Sequence, residues 1–204
     1  MAGPDRKNSR KAILEAAQAL LAERGLAGLT FDAVAGRLHI SKQAVIYWFP
    51  TKQELMAAIS LPAIQAEAEV ALAAMRAARP GADAVRAFVK SVAAFHLGDL
   101  DRFRLVYLAP QFGPATGRIE VGGRFGDTLH AFTSAVFDEL EEHVRLMRGV
   151  APDRARREAV AIDMAVTGLV TMVALTDAVR DPLKHGSTRL VQAMCDLLTA
   201  GATE

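Results

Sequence analysis

A single cysteine, Cys195, in 204 residues leaves nothing for an intrachain disulfide to form with, so the fold must be held by noncovalent packing, and a reducing compartment suits it. Aromatic residues are scarce at 6%, and alternating runs of β-branched residues are few, which argues against a sheet protein. The five histidines (His39, His96, His130, His143, His185) are scattered, with no HExxH pair and no second cysteine to build a zinc site. GxSxG, Walker and Rossmann glycine patterns are all missing. Residues 1–11 are polar and charged rather than an apolar leader, so a cytoplasmic protein is expected. No metal and no cofactor are implied. A net charge of +1 names no partner by itself.

What is present favours helices: 51% apolar residues, with alanine prominent. The charge is unevenly spread. Residues 1–60 hold eight Lys/Arg against five acids, net +3, and the remaining 144 residues are at −2. A basic end on a mildly acidic remainder fits nucleic-acid contact through that end. Arg6, Lys7, Arg10 and Lys11 form a basic arm able to follow phosphates, unless it is simply a solvated terminus.

Apolar residues recur at helical spacing along the whole chain. Ile13, Leu14, Ala17, Leu20 and Leu21 mark a first helix that Gly25 stops. Phe31, Val34, Ala35 and Leu38 share one face of a second, which Thr30 caps. His39-Ile40-Ser41 then breaks the period, and Ser41 caps a third short helix that buries Val45 and Trp48. Lys42, Gln43, Ala44 and Tyr47 are left outside. Two short helices joined by a tight turn, the second with a polar outer face, describe a helix-turn-helix.

A fourth helix over 51–60 opens on Thr51-Lys52-Gln53-Glu54, where Glu54 is expected to return to the Thr51 backbone N–H. Leu61-Pro62 is read as the passage from head to body. Stripes follow at Ile64–Met75, Val85–Phe95, Leu129–Met147, 152–179 and Leu190–Leu198, with a short helix over 103–108. Residues 111–126 carry five of the fifteen glycines and form the longest irregular stretch. From Ala159 to Val179 the helix is apolar nearly all round and long enough to span a bilayer. Asp163, Asp177 and three threonines interrupt it, however, so packing against a partner helix is preferred to a membrane.

Ala35, Ile40, Ser41-Lys42, Val45, Tyr47-Trp48-Phe49-Pro50-Thr51-Lys52 and Leu55 resemble the N-terminal signature of the tetracycline-repressor (TetR) family of homodimeric, ligand-responsive transcriptional regulators. The likeness covers about the first quarter of the chain. His39 stands where the family's turn usually has Gly, and Gln43 where Gly is frequent. Ile46 replaces a common phosphate-contacting Tyr, a role that passes to Tyr47.

The resemblance implies an all-α protein of about nine helices. Residues 1–50 would be a three-helix DNA-binding head, and residues 51–204 a helical ligand-binding and dimerisation body. Its partners would be double-stranded operator DNA, a small-molecule effector and a second copy of itself. Lys42, Gln43 and Ala44 are the candidates for base edges, because Lys can donate to guanine, Gln can pair with adenine and the Ala methyl can meet thymine. Thr30, Ser41, Tyr47, Thr51 and Lys52 are candidates around them, mainly for phosphates.

For the effector, Phe95, His96, Phe103, Arg104, Tyr107, Phe112 and Met172 supply aromatic walls with a few polar groups. Each has a plain alternative as ordinary core. For the dimer, Ala161, Ala165 and Gly168, together with Leu190, Met194 and Leu197 of the last helix, would form one half of a four-helix contact between two copies. The rival reading is a helical small-molecule binding protein or enzyme whose N-terminal helices do not touch DNA.

Overall fold

The computed structural model describes residues 6–108, 123–180 and 186–202, and the side chains of residues 9–108, 127–180 and 186–202. Among them there is no strand. The chain forms two compact units. The first runs through Ile64 and takes up the chain again from Asp101; the second holds Gln65–Leu100 and resumes at Thr128.

In the first unit, α1 (Arg6–Gly28) is broken at Gly25, whose φ of 63° only glycine adopts at little cost, so the last residues turn away from the helix axis. α2 (Phe31–Leu38) and α3 (Lys42–Trp48) follow, α2 packing on α1 and α3 on α2. Ile13, Ala17, Leu20, Leu21, Leu29, Val34, Val45, Phe49, Leu55 and Ile59 close one apolar core. Phe49 is 2% exposed and Trp48 only half-buried, so the ring expected to anchor α3 shares that task with its neighbour.

α4 (Lys52–Ala77) is longer than the sequence suggests, because it does not end at Leu61-Pro62. Pro62 costs the helix one backbone hydrogen bond. It lies on the exposed side, while Leu55 and Ile59 before it are buried in the core of the first unit and Ala71 and Met75 after it in that of the second. Burial on the far face offsets the lost bond.

The second unit is built from the end of α4, α5 (Ala82–Leu97), α7 (Gly123–Arg148), α8 (Pro152–Ala178) and α9 (Ser187–Thr199). Phe88, Val89, Val92, Leu140, Val144, Met147, Ala159, Ile162 and Val166 form its core, and α5, α8 and α9 pack mutually. α6 (Leu100–Phe103) continues as a wider π-turn over Arg104–Leu108, where the sequence suggests one short helix. Of the glycine-rich stretch 111–126, residues 111–122 lie outside the described residues. α4 and α8 are each long and apolar enough to cross a membrane by length and composition.

Candidate nucleic-acid interface

The turn between α2 and α3 is a complete helix stop built around a histidine. His39 takes the left-handed conformation (φ 53°, ψ 39°) that glycine commonly supplies. Its N–H donates to the Gly36 carbonyl at 3.3 Å, and the Ile40 N–H reaches back to Ala35 at 3.0 Å. This pair of bonds satisfies carbonyls that the helix end leaves over. Thr30 and Ser41 start the two helices as expected: Thr30 Oγ1 accepts from the Ala33 N–H at 3.1 Å, and Ser41 Oγ from the Ala44 N–H at 3.2 Å.

With Val45 fully buried, the 3.6-residue period sends the opposite side of α3 outward. Ser41, Lys42, Gln43 and Tyr47 are exposed, Tyr47 by 64%, and Ala44 is half-buried among them. The Tyr47 ring meets Trp48 edge-on, centroids 5.3 Å apart. Lys42 does not project alone: its Nζ donates to Asp32 Oδ2 at 2.8 Å. Asp32 has no place among the residues that sequence spacing singles out. It lies on another helix, and only the turn brings the two together.

Beside this row, Thr51 Oγ1 accepts from the Glu54 N–H at 3.1 Å. The Glu54 carboxylate faces the Thr51 hydroxyl at 3.4 Å, where the sequence suggests the Thr51 backbone N–H. Lys52 Nζ donates to the Leu26 carbonyl at 2.8 Å, and partial burial lowers its affinity for its proton. Arg37 on α2 donates through both terminal nitrogens to Glu23 on α1, each at 2.8 Å, which holds the Glu23 carboxyl below its usual range. The Arg10 guanidinium stands 5.1 Å over the Phe49 ring.

The effector candidates fall into both units. In the second, the half-buried Phe95 meets His96 edge-on at 5.3 Å. His96 is 2% exposed, with Nε2 3.1 Å from Glu67 Oε1. Asp163 on α8 couples to both: burial pushes its carboxyl up to about 6, the Glu67 charge adds to the rise and His96 opposes it. Glu67 and Asp163 are thus polar neighbours of His96 that sequence spacing does not reveal, each coming from a different helix. Met172 is 56% exposed on α8. In the first unit Phe103 is buried and stacked on Tyr107 at 5.1 Å, and Arg104 pairs with Asp101 at 2.7 Å. Phe112 lies outside the described residues.

Of the residues expected at a subunit contact, Ala161, Gly168 and Leu197 are exposed, while Ala165, Leu190 and Met194 are half-buried. Met164, Met172 and Leu175, with Val179 just past the helix end, extend the exposed apolar face of α8, at 46–73% exposure.

Residues 13–59 match the family described as Bacterial regulatory proteins, tetR family. No curated protein matches the chain in sequence. Among solved structures, SCO4313, described as a regulatory protein, superposes with TM-score 0.72 at 17% identity, over 96% of this chain and 98% of that one. AibR in complex with isovaleryl coenzyme A and operator DNA gives 0.63 at 18% identity, over 94% and 98% of the two chains. A TetR variant from Acinetobacter baumannii AYE in complex with minocycline gives 0.60 at 19%, over 98% and 96%. At such identities the likeness shows the fold. The match over residues 13–59 falls on the capped helix pair with its polar outer row, so it is this N-terminal segment that is similar to the tetR family of bacterial regulatory proteins.

Proposed function

We propose that the chain is a transcriptional repressor that binds a pseudo-palindromic operator as a homodimer and is released by a small-molecule effector. The observation that carries this is the outward row Ser41, Lys42, Gln43 and Tyr47 on a helix anchored from behind by Val45. A helix so presented fits a major groove, where Lys42, Gln43 and Ala44 would meet base edges. Thr30 and Ser41 use a hydroxyl oxygen as acceptor in their caps, which leaves each O–H able to donate to a phosphate. Tyr47, Thr51 and Lys52 would border the same strand.

The exposed apolar face of α8 with Leu197 of α9 supports a two-fold contact between copies of the chain. Two heads then require half-sites spaced by about 34–36 Å or a multiple of it. That AibR was solved with both an acyl coenzyme A and operator DNA supports a ligand-responsive reading here. Within the second unit, Phe95 and His96, with Glu67 beside the imidazole, are the aromatic and polar groups that would meet an effector. A ligand that prefers a conformer with wrongly spaced heads lowers operator affinity, and the coupling is reciprocal. α4, one helix shared by both units, is the connecting element.

Selection of bound duplexes from random DNA tests the reading. The expected product is a two-fold symmetric site. Gln43→Ala should alter its sequence preference, whereas Tyr47→Ala should weaken all duplexes alike. A protein that passes unretained over heparin and random duplex at low salt would refute it.

A further inference from the structure

We infer that Asp32 is a specificity-determining residue of the reading surface: by holding the Lys42 ammonium, it positions that lysine and withholds it from indiscriminate phosphate binding. The inference rests on the DNA-reading function proposed above.

The geometry is a 2.8 Å contact between two side chains that both keep substantial exposure, 49% for Lys42 and 70% for Asp32. An ion pair so open to water adds little to folding. The head is held instead by its own apolar core, so stability gives no reason for the pair. Its members differ in how firmly they are fixed. Asp32 lies in the first turn of α2, whose start is capped by Thr30 and whose next residues include the buried Val34 and Ala35. A carboxylate there also agrees with the helix dipole. Lys42 carries its charge on a flexible four-carbon stem, and no acidic residue lies in the first turn of its own helix. The carboxylate is the fixed partner, and the lysine is the one that is steered.

An unrestrained lysine at this place would bind any phosphate within reach as a point charge, an attraction blind to sequence. Paired with Asp32, its charge is compensated, yet an ammonium has three N–H donors and the pair uses one. Two remain for acceptors on a base edge. The carboxylate meanwhile disfavours a nearby phosphate. Such an arrangement lowers affinity for all DNA but lowers it most for the wrong DNA, which is discrimination by an unfavourable element.

The test compares wild type, Asp32→Asn, Lys42→Ala and the double variant on the selected operator and on a random duplex of equal length, across about 50 to 200 mM salt. Asp32→Asn keeps the shape and removes the charge. It should bind the random duplex more tightly, with a log–log salt slope steeper by about one per head. Its advantage should shrink roughly three- to fourfold per head over that salt range, as one added phosphate contact requires. The operator should gain less, so the ratio of operator to random affinity falls. In the Lys42→Ala background, Asp32→Asn should shift both duplexes equally and leave the ratio unchanged, since only a general field effect is left. An unchanged ratio for Asp32→Asn with Lys42 present overturns the inference while the DNA reading stands. A wild type that binds neither duplex overturns both.

Discussion

The ammonium of Lys52 donates to the carbonyl of Leu26 at 2.8 Å, tying the start of α4 to the segment that leaves α1 after its break at Gly25. The Leu26 carbonyl lies beyond the point where α1 stops being regular, and the lysine supplies a donor there. Because Lys52 follows α3 closely, the contact also fixes where the reading helix ends. Lys52→Met, which keeps the stem but removes the donor, should lower stability by about 1–2 kcal/mol, the scale of a hydrogen bond from a charged group. It should weaken operator and random duplex together. Thermal unfolding and fluorescence anisotropy measure the two effects, and an unchanged melting temperature would show that the bond has no structural weight.

His39 holds a left-handed backbone that costs most residues about 1–2 kcal/mol. Its side chain is exposed. His39→Gly should therefore stabilise the head by about 1 kcal/mol, somewhat less than the full strain because glycine loses more chain entropy on folding. For a chain of this size that is about 2–4 °C in Tm. A fall in Tm would mean that the imidazole makes a contribution larger than the strain it brings.

Asp163 makes the stability of the second unit depend on pH. Its folded-state pKa is raised from 3.8 to about 6, chiefly by burial. Between those values the folded chain binds more protons than the unfolded one, so stability falls as pH rises from about 4 to about 6. The gap corresponds to an upper limit of about 3 kcal/mol, which Glu67 raises and His96 reduces. Asp163→Asn, which does not titrate, should match wild type near pH 4 and exceed it at pH 7. Denaturant unfolding at the two pH values decides the matter: equal differences at both would remove Asp163 as the source.

Leu197 is 76% exposed on α9 and Met164 68% exposed on α8. If a second copy covers this face, Met164→Glu and Leu197→Glu each place a charge in an apolar contact. Sedimentation should then show monomers where wild type shows dimers, at micromolar concentration, with helicity unchanged. Operator affinity should fall far more than affinity for a single half-site. Dimers that survive both substitutions would move the interface elsewhere.

Operator binding should also change the emission of Trp48, the chain's one tryptophan, because its ring meets the exposed Tyr47 edge-on while resting on the head's core. Fluorescence recorded during a titration that anisotropy shows to be saturating checks this.

The local devices of the head follow from the order of residues alone. Thr30 and Ser41 can cap a helix through their own side-chain oxygens, and a buried Val45 puts Gln43 and Tyr47 on the other side of a 3.6-residue turn, with Lys42 exposed at the helix start. These depend on residues at most a few positions apart, so spacing is enough to read them. Leu61-Pro62 lies close to where the first unit gives way to the second but does not end a helix, because a proline's cost is local, whereas the burial that keeps α4 continuous is spread along its opposite face. The pairs that give the surface its chemistry were decided only by tertiary structure: Asp32 with Lys42, Lys52 with Leu26, and Glu67 and Asp163 around His96. Each joins separate helices, and their meeting is fixed by how apolar faces pack, which no count along the chain contains.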